Sequence, residues 1–250
     1  MVRASDTHEK SRPSVFWPLA AIIVPAVGLL ARIEIIGAEK LPRRGAFVLA
    51  PNHNSEIDPL IVAVAVWRIG RAPRFLAKES LFRVPVLGWA LRATGMVPVA
   101  RATSATAAKQ SLRSSQELVT SGRGVIVYPE GSLTRDPDMW PMRGKTGAVR
   151  LARGADIPLI PVAHWGVQDI MPRYGKLRLW PPRRHVRVLI GDPLEPADNS
   201  GLGPAALTGQ TDTLMAAISD LLGQLRGLTP PEQRWNPNSH GQAETGRLDS

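Results

Sequence analysis

Two kinds of apolar pattern occur along this chain of 250 residues. From Arg32 onward, short apolar runs alternate with segments of helix length, and this alternation is typical of an α/β sheet. We predict strands over 32–36, 46–50, 74–77, 96–99, 125–127, 159–163, 177–180 and 185–190. Helices are predicted over 59–68, 86–93, 104–120, 145–153 and 204–228. The expected fold class is α/β, with a single domain over 32–228 in which helices flank a mixed, mostly parallel sheet.

The other pattern is the uncharged segment 15–31, VFWPLAAIIVPAVGLLA. A straight helix of that length reaches about 25 Å, short of the roughly 30 Å hydrocarbon core of a bilayer, and Pro18 and Pro25 interrupt it. We therefore predict a helical segment that associates with the membrane at its interface, with Trp17 at headgroup level and basic residues of 1–14 near anionic lipid. A buried helix and a signal peptide are the alternatives.

The two ends of the chain complete the expected domain organisation. Residues 229–250 are polar and rich in turn formers, so we predict a disordered tail there. The chain then divides into a polar lead with the membrane-associating segment over 1–31, the α/β domain over 32–228, and the tail over 229–250.

Charge and cysteine content narrow the classes of function. There are 31 Lys and Arg residues against 21 Asp and Glu, a formal charge of +10, which favours an anionic partner such as a phospholipid surface, a phosphorylated metabolite or nucleic acid. The chain has no cysteine, which excludes a disulfide framework, a thiolate zinc site and a cysteine intermediate. The Ala- and Arg-rich usage with many prolines suggests a bacterial source of high GC content.

The first motif with chemical content is PNHNSEIDP at 51–59, directly after a predicted strand. His53 therefore lies just past a strand end, where α/β folds place their chemistry. Asp58 followed by Pro59 is typical of a helix start. The short loop lets the Asp58 carboxylate fold back onto one imidazole nitrogen and leaves the other as a general base. The alternative is that Asp58 only caps the helix.

The second motif is VIVYPEGSLTR at 125–135, again a strand that runs into a polar loop. Glycine permits close backbone approach, hydroxyls offer hydrogen bonds, and the arginine fork of Arg135 suits a phosphate. A simple turn is the alternative.

Together the two motifs resemble the glycerolipid acyltransferase family that includes the 1-acyl-glycerol-3-phosphate acyltransferases. That family carries an Asn-His-(four residues)-Asp block followed by a Phe-Pro-Glu-Gly block. The segments GMVPVAR at 95–101 and IPLIPV at 157–162 lie where the family keeps a glycine-to-arginine segment and a proline-bearing strand. AKESLF at 77–82 also matches, so the resemblance covers about 45–165.

The resemblance implies a role for each matched position. His53 would be the catalytic base for the acceptor hydroxyl, and Asp58 would orient it. The implied substrate-binding residues are Lys78, Arg101, Glu130, Gly131, Ser132 and Arg135. One departure is that Leu133 and Thr134 separate Ser132 from Arg135, where the family reads Glu-Gly-Thr-Arg. We interpret His164 as a structural residue.

The activity implied by the resemblance is transfer of a fatty acyl group from acyl-CoA or acyl carrier protein to the sn-2 hydroxyl of 1-acyl-glycerol 3-phosphate. The chain has neither a cysteine nor a Gly-x-Ser-x-Gly elbow, so we expect the hydroxyl to attack the thioester directly. We expect no cofactor beyond the acyl thioester and no metal, since no two histidines have ligand spacing. The expected location is the cytoplasmic face of the cell membrane, peripheral or monotopic.

Other functions stay open at the level of sequence. The acceptor is alternatively another lysophospholipid, a glycolipid or glycerol 3-phosphate, and a hydrolase would use the same base with water. A basic nucleic-acid-binding protein is the rival from another class, although we expect no nucleic acid partner because it leaves His53 and Asp58 unexplained. The basic residues over 173–187 form a membrane patch, an acyl carrier protein docking surface or a solvated face.

Overall fold

The computed structural model describes residues 14–99, 119–194 and 203–243. Its strands are β1 (Ala31–Ile36), β2 (Phe47–Pro51), β3 (Leu76–Lys78), β4 (Val97–Val99), β5 (Gly124–Ile126), β6 (Leu159–Trp165) and β7 (Arg184–Ile190). Its helices are α1 (Phe16–Leu30), α2 (Asp58–Ile69), α3 (Pro85–Ala93), α4 (Gly147–Ala155), α5 (Val167–Ile170) and α6 (Pro204–Arg226). Short 3₁₀ helices occupy Ala38–Lys40, Glu79–Arg83 and Pro237–His240.

Five strands form the main sheet in the order β1, β7, β6, β2, β5, while β3 and β4 form a separate parallel pair. The β1–β7, β6–β2 and β2–β5 pairs are parallel, and only β6–β7 is antiparallel among the main-sheet pairs of the described residues. Leu49 of β2 lies opposite Ile126 of β5 and Ile160 of β6. The predicted mixed, mostly parallel α/β sheet flanked by helices is therefore confirmed, and the carboxyl ends of β2, β5 and β6 meet at one edge.

Alternation along β2 explains the two-sided core. All five residues of β2 are buried, as expected for a central strand covered on both faces. Phe47 and Leu49 face the cluster that includes the apolar side chains of α2, whereas Val48 and Ala50 join the cluster from α4 and α6. Each face of the sheet is thereby sealed by helices, and the site is confined to the strand ends.

The helix α1 packs on the domain at its first turn and again near its end, where Val27 is buried in the core. The ring of Phe16 stacks on Trp67 with centroids 6.3 Å apart, and Trp17 meets Trp67 edge-on at 5.5 Å. Trp17, Ile22 and Leu29 remain exposed. In the described part of the chain, every helix is too short or too polar to cross a membrane. The helix ends at Leu30 and β1 begins at the next residue, so no linker separates them.

The strand predicted over 177–180 is wrong. This stretch is a loop in which Leu177, Leu179 and Trp180 are exposed. Pro181 and Pro182 follow it, and because proline has no N–H, the segment cannot continue a hydrogen-bonded ladder. The other predicted strands and helices lie within two residues of the observed ones, except that the helix predicted over 104–120 falls almost entirely outside the described residues. The short helix α5 was not predicted.

Residues 229–243 have a defined conformation where the sequence predicted a disordered tail. The carbonyl of Trp235 accepts a hydrogen bond from the backbone N–H of Arg143 at 2.9 Å. The Trp235 ring also stacks on His240 with centroids 3.6 Å apart, and Arg234 pairs with Asp212 of α6 at 2.7 Å. A backbone hydrogen bond to Arg143 and an ion pair to α6 therefore hold this stretch on the domain. Residues 244–250 lie outside the described residues.

Candidate active site

His53 and Asp58 are brought together at the carboxyl end of β2. Their side chains meet with Nδ1 of His53 3.0 Å from Oδ2 of Asp58. The same oxygen accepts the backbone N–H groups of Asn54 at 2.6 Å and Ser55 at 2.7 Å. Asp58 is fully buried, whereas the His53 side chain is 16% exposed. With Nδ1 donating to the carboxylate, Nε2 is the ring nitrogen left with a lone pair, which is the arrangement of a general base.

His164 of β6 lies behind this pair, a contact that sequence reasoning missed. Its backbone N–H donates to Oδ1 of Asn52 at 2.8 Å, and its backbone carbonyl accepts from Nδ2 of Asn52 at 3.2 Å. Its ring Nε2 is 2.9 Å from the Asn52 carbonyl and 3.6 Å from Oδ2 of Asp58. Burial lowers the pKa of His164, so the neutral ring donates from Nε2 to the carbonyl. This Asn52–His164 clamp ties the base loop to β6.

Glu130 holds the other side of the His53 loop. It is fully buried in the loop after β5. Its Oε1 accepts the backbone N–H of His53, and its Oε2 accepts that of Met142, both at 3.0 Å. Thr134 in the same loop donates its N–H to the His53 carbonyl at 2.7 Å. Burial, opposed by these N–H donors, raises the pKa of Glu130 to about 8. Glu130 therefore positions the backbone that carries His53.

An aromatic stack covers the His53 ring. Tyr128 stacks on it with centroids 4.1 Å apart, and Phe75 stacks on Tyr128 at 6.3 Å. Burial, with a smaller contribution from Asp58, raises the pKa of Tyr128 above its usual 10.0. Sequence reasoning also missed Tyr128, although its place two residues before Glu130 at a strand exit was the available signal.

The other residues that were predicted to bind substrate lie at different places in the fold. Gly131 has φ +71°, and a Cβ there would lie 3.2 Å from the Lys145 side chain. The Ser132 hydroxyl lies 3.4 Å from the Leu133 carbonyl, and Arg135 is 2% exposed. Lys78 ends β3. Arg101 falls outside the described residues, so its predicted role is untested by this geometry.

Two cavities adjoin these residues. A polar cavity of about 770 Å³ is lined by Glu130, Arg143 and Lys145, together with polar residues of α6 and of 232–237. An apolar groove of about 570 Å³ lies between α1, α2 and α3. Its wall includes Pro59, next to Asp58, and Phe75 of the aromatic stack. The polar cavity therefore reaches Glu130, which bonds to the His53 backbone, and the apolar groove reaches Pro59, the neighbour of Asp58.

A buried carboxylate that orients a histidine at a strand end is an arrangement that activates a hydroxyl group. Comparison with known proteins gives the class: residues 32–165 match the family model described as acyltransferase. Since that region is more than half of the sequence, the chain belongs to the acyltransferase family. The predicted family resemblance is confirmed.

Several relatives carry names that agree with this assignment, and one solved structure shares the fold. The chloroplastic 1-acyl-sn-glycerol-3-phosphate acyltransferase BAT2 of Brassica napus is 30% identical over 65% of this chain and 45% of its own length. The 1-acyl-sn-glycerol-3-phosphate acyltransferase of Bacillus subtilis is 27% identical over 80% of this chain and 92% of its own. The chain spans about half the length of the plant and algal relatives. The crystal structure of PlsC, the 1-acyl-sn-glycerophosphate acyltransferase of Thermotoga maritima, shares the fold, with a TM-score of 0.63, 22% identity and coverage of 88% of this chain and 80% of that one.

Proposed function

We propose that this enzyme transfers a fatty acyl group from an acyl thioester to the sn-2 hydroxyl of 1-acyl-glycerol 3-phosphate and so forms phosphatidate. The observation that carries the proposal is the 3.0 Å contact between His53 Nδ1 and the buried Asp58, which leaves Nε2 as a base. The acceptor is inferred from the relatives that are named 1-acyl-sn-glycerol-3-phosphate acyltransferases. Fatty acyl-CoA and acyl carrier protein are the proposed donors.

The reaction proceeds by direct attack. Nε2 of His53 takes the proton from the acceptor hydroxyl as its oxygen forms a bond to the thioester carbonyl carbon. The tetrahedral intermediate then breaks its carbon–sulfur bond, and the imidazolium returns the proton to the leaving sulfur. Asp58 stabilises the imidazolium between the two steps, a form of base catalysis worth about 10²- to 10⁴-fold. No acyl-enzyme forms.

The two cavities suit different parts of the two substrates. The apolar groove suits the donor's acyl chain, since its wall reaches Pro59 and Phe75 beside the base. In this proposal the acceptor phosphate binds in the polar cavity, where Arg143 and Lys145 supply positive charge. The same wall also carries Glu232 and the ion pair of Arg234 with Asp212. The predicted contacts of Ser132, Gly131, Arg135, Lys78 and Arg101 with the acceptor stay part of this proposal.

The proposed location is the cytoplasmic face of the membrane, with the enzyme held at the lipid surface rather than spanning it. Trp17, Ile22 and Leu29 of α1 are 47%, 70% and 69% exposed, and Trp180 in the loop before β7 is 81% exposed. The backbone N–H of Arg183 bonds to the Leu29 carbonyl, so this loop lies against the end of α1. Exposed apolar side chains beside arginines favour a lipid surface.

The proposal is tested by acyl transfer from palmitoyl-CoA to 1-oleoyl-glycerol 3-phosphate, with free thiol and phosphatidate followed in parallel. We expect acceptor-dependent phosphatidate from the wild type and at least a 10²-fold loss in His53→Gln. His185→Gln is the matched control, because His185 is exposed on β7 and bonds to Glu34. Thiol release without acceptor would show a hydrolase, and full activity in His53→Gln would refute the base assignment. Turnover only with another lysophospholipid, or only with acyl carrier protein, would correct the substrate.

A further inference from the structure

Six arginines line a third cavity, of about 440 Å³, away from the site described above. They are Arg43, Arg44, Arg71, Arg74, Arg92 and Arg123. Arg43 and Arg44 precede β2, and Arg123 precedes β5, so the cavity lies at the amino ends of these parallel strands. His53 and Glu130 follow the carboxyl ends of the same strands. The whole length of β2 therefore separates this arginine cavity from the base.

The buried side chain of Arg71 forms the floor of the arginine cavity. Arg71 is fully buried and donates to the carbonyls of Pro42 and Gly45, the latter at 2.7 Å. Its guanidinium lies 4.7 Å from the centroid of the Phe47 ring. Arg74 is held in a similar way, with its guanidinium 5.2 Å from the Phe16 ring centroid. The cavity is therefore a built feature of the fold rather than a chance meeting of surface side chains.

The charge of the cavity is of one sign. Arg43, Arg92 and Arg123 are exposed at its rim, and none of the described residues that line it is acidic. Guanidinium groups bind phosphate oxygens through paired hydrogen bonds and keep their charge at any physiological pH. Several arginines around one concave surface therefore favour a phosphate-bearing ligand.

The surface next to the arginine cavity indicates which class of phosphate-bearing ligand the cavity binds. Phe16 and Thr94 line both the arginine cavity and the apolar groove, so the two adjoin. The helices beside them carry exposed apolar side chains, Trp17 on α1 and Val86 and Trp89 on α3. A free sugar phosphate or nucleotide would leave this apolar surface in water. A phospholipid in a bilayer covers it with hydrocarbon and places its phosphate among the arginines.

We propose that the arginine cavity binds the phosphate of an anionic membrane phospholipid that is not a substrate, and that this contact sets how the enzyme sits on the bilayer. The ligand is recognised by its phosphate at the arginines and by its apolar part at the adjoining helices. The cavity lies at the opposite strand ends from His53 and, among the described residues, shares only Phe16 and Thr94 with the wall of the apolar groove.

The test is co-sedimentation of the full chain with vesicles of phosphatidylcholine that contain 20% phosphatidylglycerol, a lipid that is neither acceptor nor product of the proposed reaction. Arg43→Gln/Arg123→Gln is expected to bind these vesicles about 10- to 30-fold more weakly than the wild type. Arg150→Gln/Arg153→Gln, which removes the same charge from α4, is the control and is expected to lose less than about threefold. Circular dichroism and the unfolding midpoint confirm that both variants fold.

Three results would overturn the proposal. Equal losses in the two double variants would show only non-specific charge attraction, and unchanged binding in Arg43→Gln/Arg123→Gln would show that the cavity does not meet the lipid. A loss of affinity for coenzyme A or for a short RNA, with vesicle binding intact, would assign the arginines to a nucleotide phosphate. Because no readout here depends on turnover, failure of the proposed acyl transfer would not be mistaken for failure of this site.

Discussion

The two ends of the parallel strands β2 and β5 carry opposite kinds of chemistry. At the carboxyl ends, His53 is fixed by bonds to its ring and backbone, since Asp58, Glu130 and Thr134 each contact it at 3.0 Å or less. At the amino ends, Arg43 and Arg123 stand exposed around a concave surface. Proton transfer requires that the reacting atoms be held in precise positions. The electrostatic attraction of a phosphate tolerates movement of the arginine side chains.

This difference predicts how each end responds to substitution. At the carboxyl ends a change of one atom in the His–Asp pair should lower turnover by orders of magnitude, because the hydrogen bonds there are short and buried. On the apolar and basic surfaces, single changes should alter preference and binding by modest factors.

The largest effect is expected for Asp58→Asn. The amide cannot supply the negative charge that stabilises the imidazolium, and a ring with the wrong tautomer is no base. We expect kcat to fall about 10³- to 10⁴-fold at pH 7.5, measured by thiol release from palmitoyl-CoA with acceptor present. Asp169→Asn, at an exposed position of α5, is the control and should keep wild-type activity. More than a tenth of wild-type activity in Asp58→Asn would contradict the role.

Glu130→Gln is expected to change stability, with a pH dependence. The amide can accept only one of the two N–H groups from His53 and Met142, and an unpaired buried N–H costs about 1–3 kcal/mol. Because the pKa of Glu130 rises from 4.5 to about 8 on folding, the folded wild type binds the extra proton, and its contribution to stability is lost as pH rises between these values.

The measurement for Glu130→Gln is the free energy of unfolding in urea at pH 5, 6.5 and 8. The glutamine variant does not titrate, so its stability relative to the wild type should improve steadily across this series. A constant difference between the two proteins would show that the folded carboxyl does not have a raised pKa.

The proposed binding of the acyl chain in the apolar groove is tested by filling the groove with a larger side chain. Ala63 of α2 lines the groove, and Ala63→Phe should exclude the end of a long acyl chain. Since each methylene contributes about 0.8 kcal/mol, loss of two methylenes lowers kcat/KM for palmitoyl-CoA about tenfold relative to octanoyl-CoA. Ala205→Phe, at an exposed position of α6, should leave this ratio unchanged. An unaltered ratio in Ala63→Phe would place the acyl chain elsewhere.

The smallest effect is expected for Trp17→Ala. The side chain is 47% exposed and packs edge-on against Trp67, so its loss removes one interfacial anchor and one ring contact. Partition onto phosphatidylcholine vesicles should weaken about three- to tenfold. Leu228→Ala, 54% exposed beyond α6, serves as the comparison variant. Equal weakening in both variants would show that α1 has no special contact with lipid.

The features that could be predicted from the sequence were those formed by residues close together along the chain. The sequence pattern placed β2, β6 and β7 within two residues, because β2 and β6 lie in apolar runs and β7 alternates buried and partly exposed positions. The spacing of His53 and Asp58 predicted their contact, since both belong to one short loop. Residues joined by folding were not predictable: Glu130 on the His53 backbone, His164 behind Asp58, and the arginine cavity.

The arginine cavity shows why. Its members are spread from position 43 to position 123, and only the parallel arrangement of β2 and β5 brings the two ends of that interval together. The strand prediction over 177–180 was wrong for the opposite reason. The local pattern of apolar positions is typical of a strand, but the segment pairs with no other strand in the part of the chain that the structure describes. Local patterns therefore predict elements and loop motifs, while topology decides which distant charges meet.

The direct passage from α1 into β1, with Leu30 and Ala31 adjacent, joins the outermost helix rigidly to an edge strand of the sheet. In a membrane-bound enzyme, the depth at which α1 rests would then set the height of His53 above the lipid. An acceptor still embedded in the bilayer must present its hydroxyl at that height. Headgroup size would consequently be selected by vertical reach as well as by the shape of the pocket.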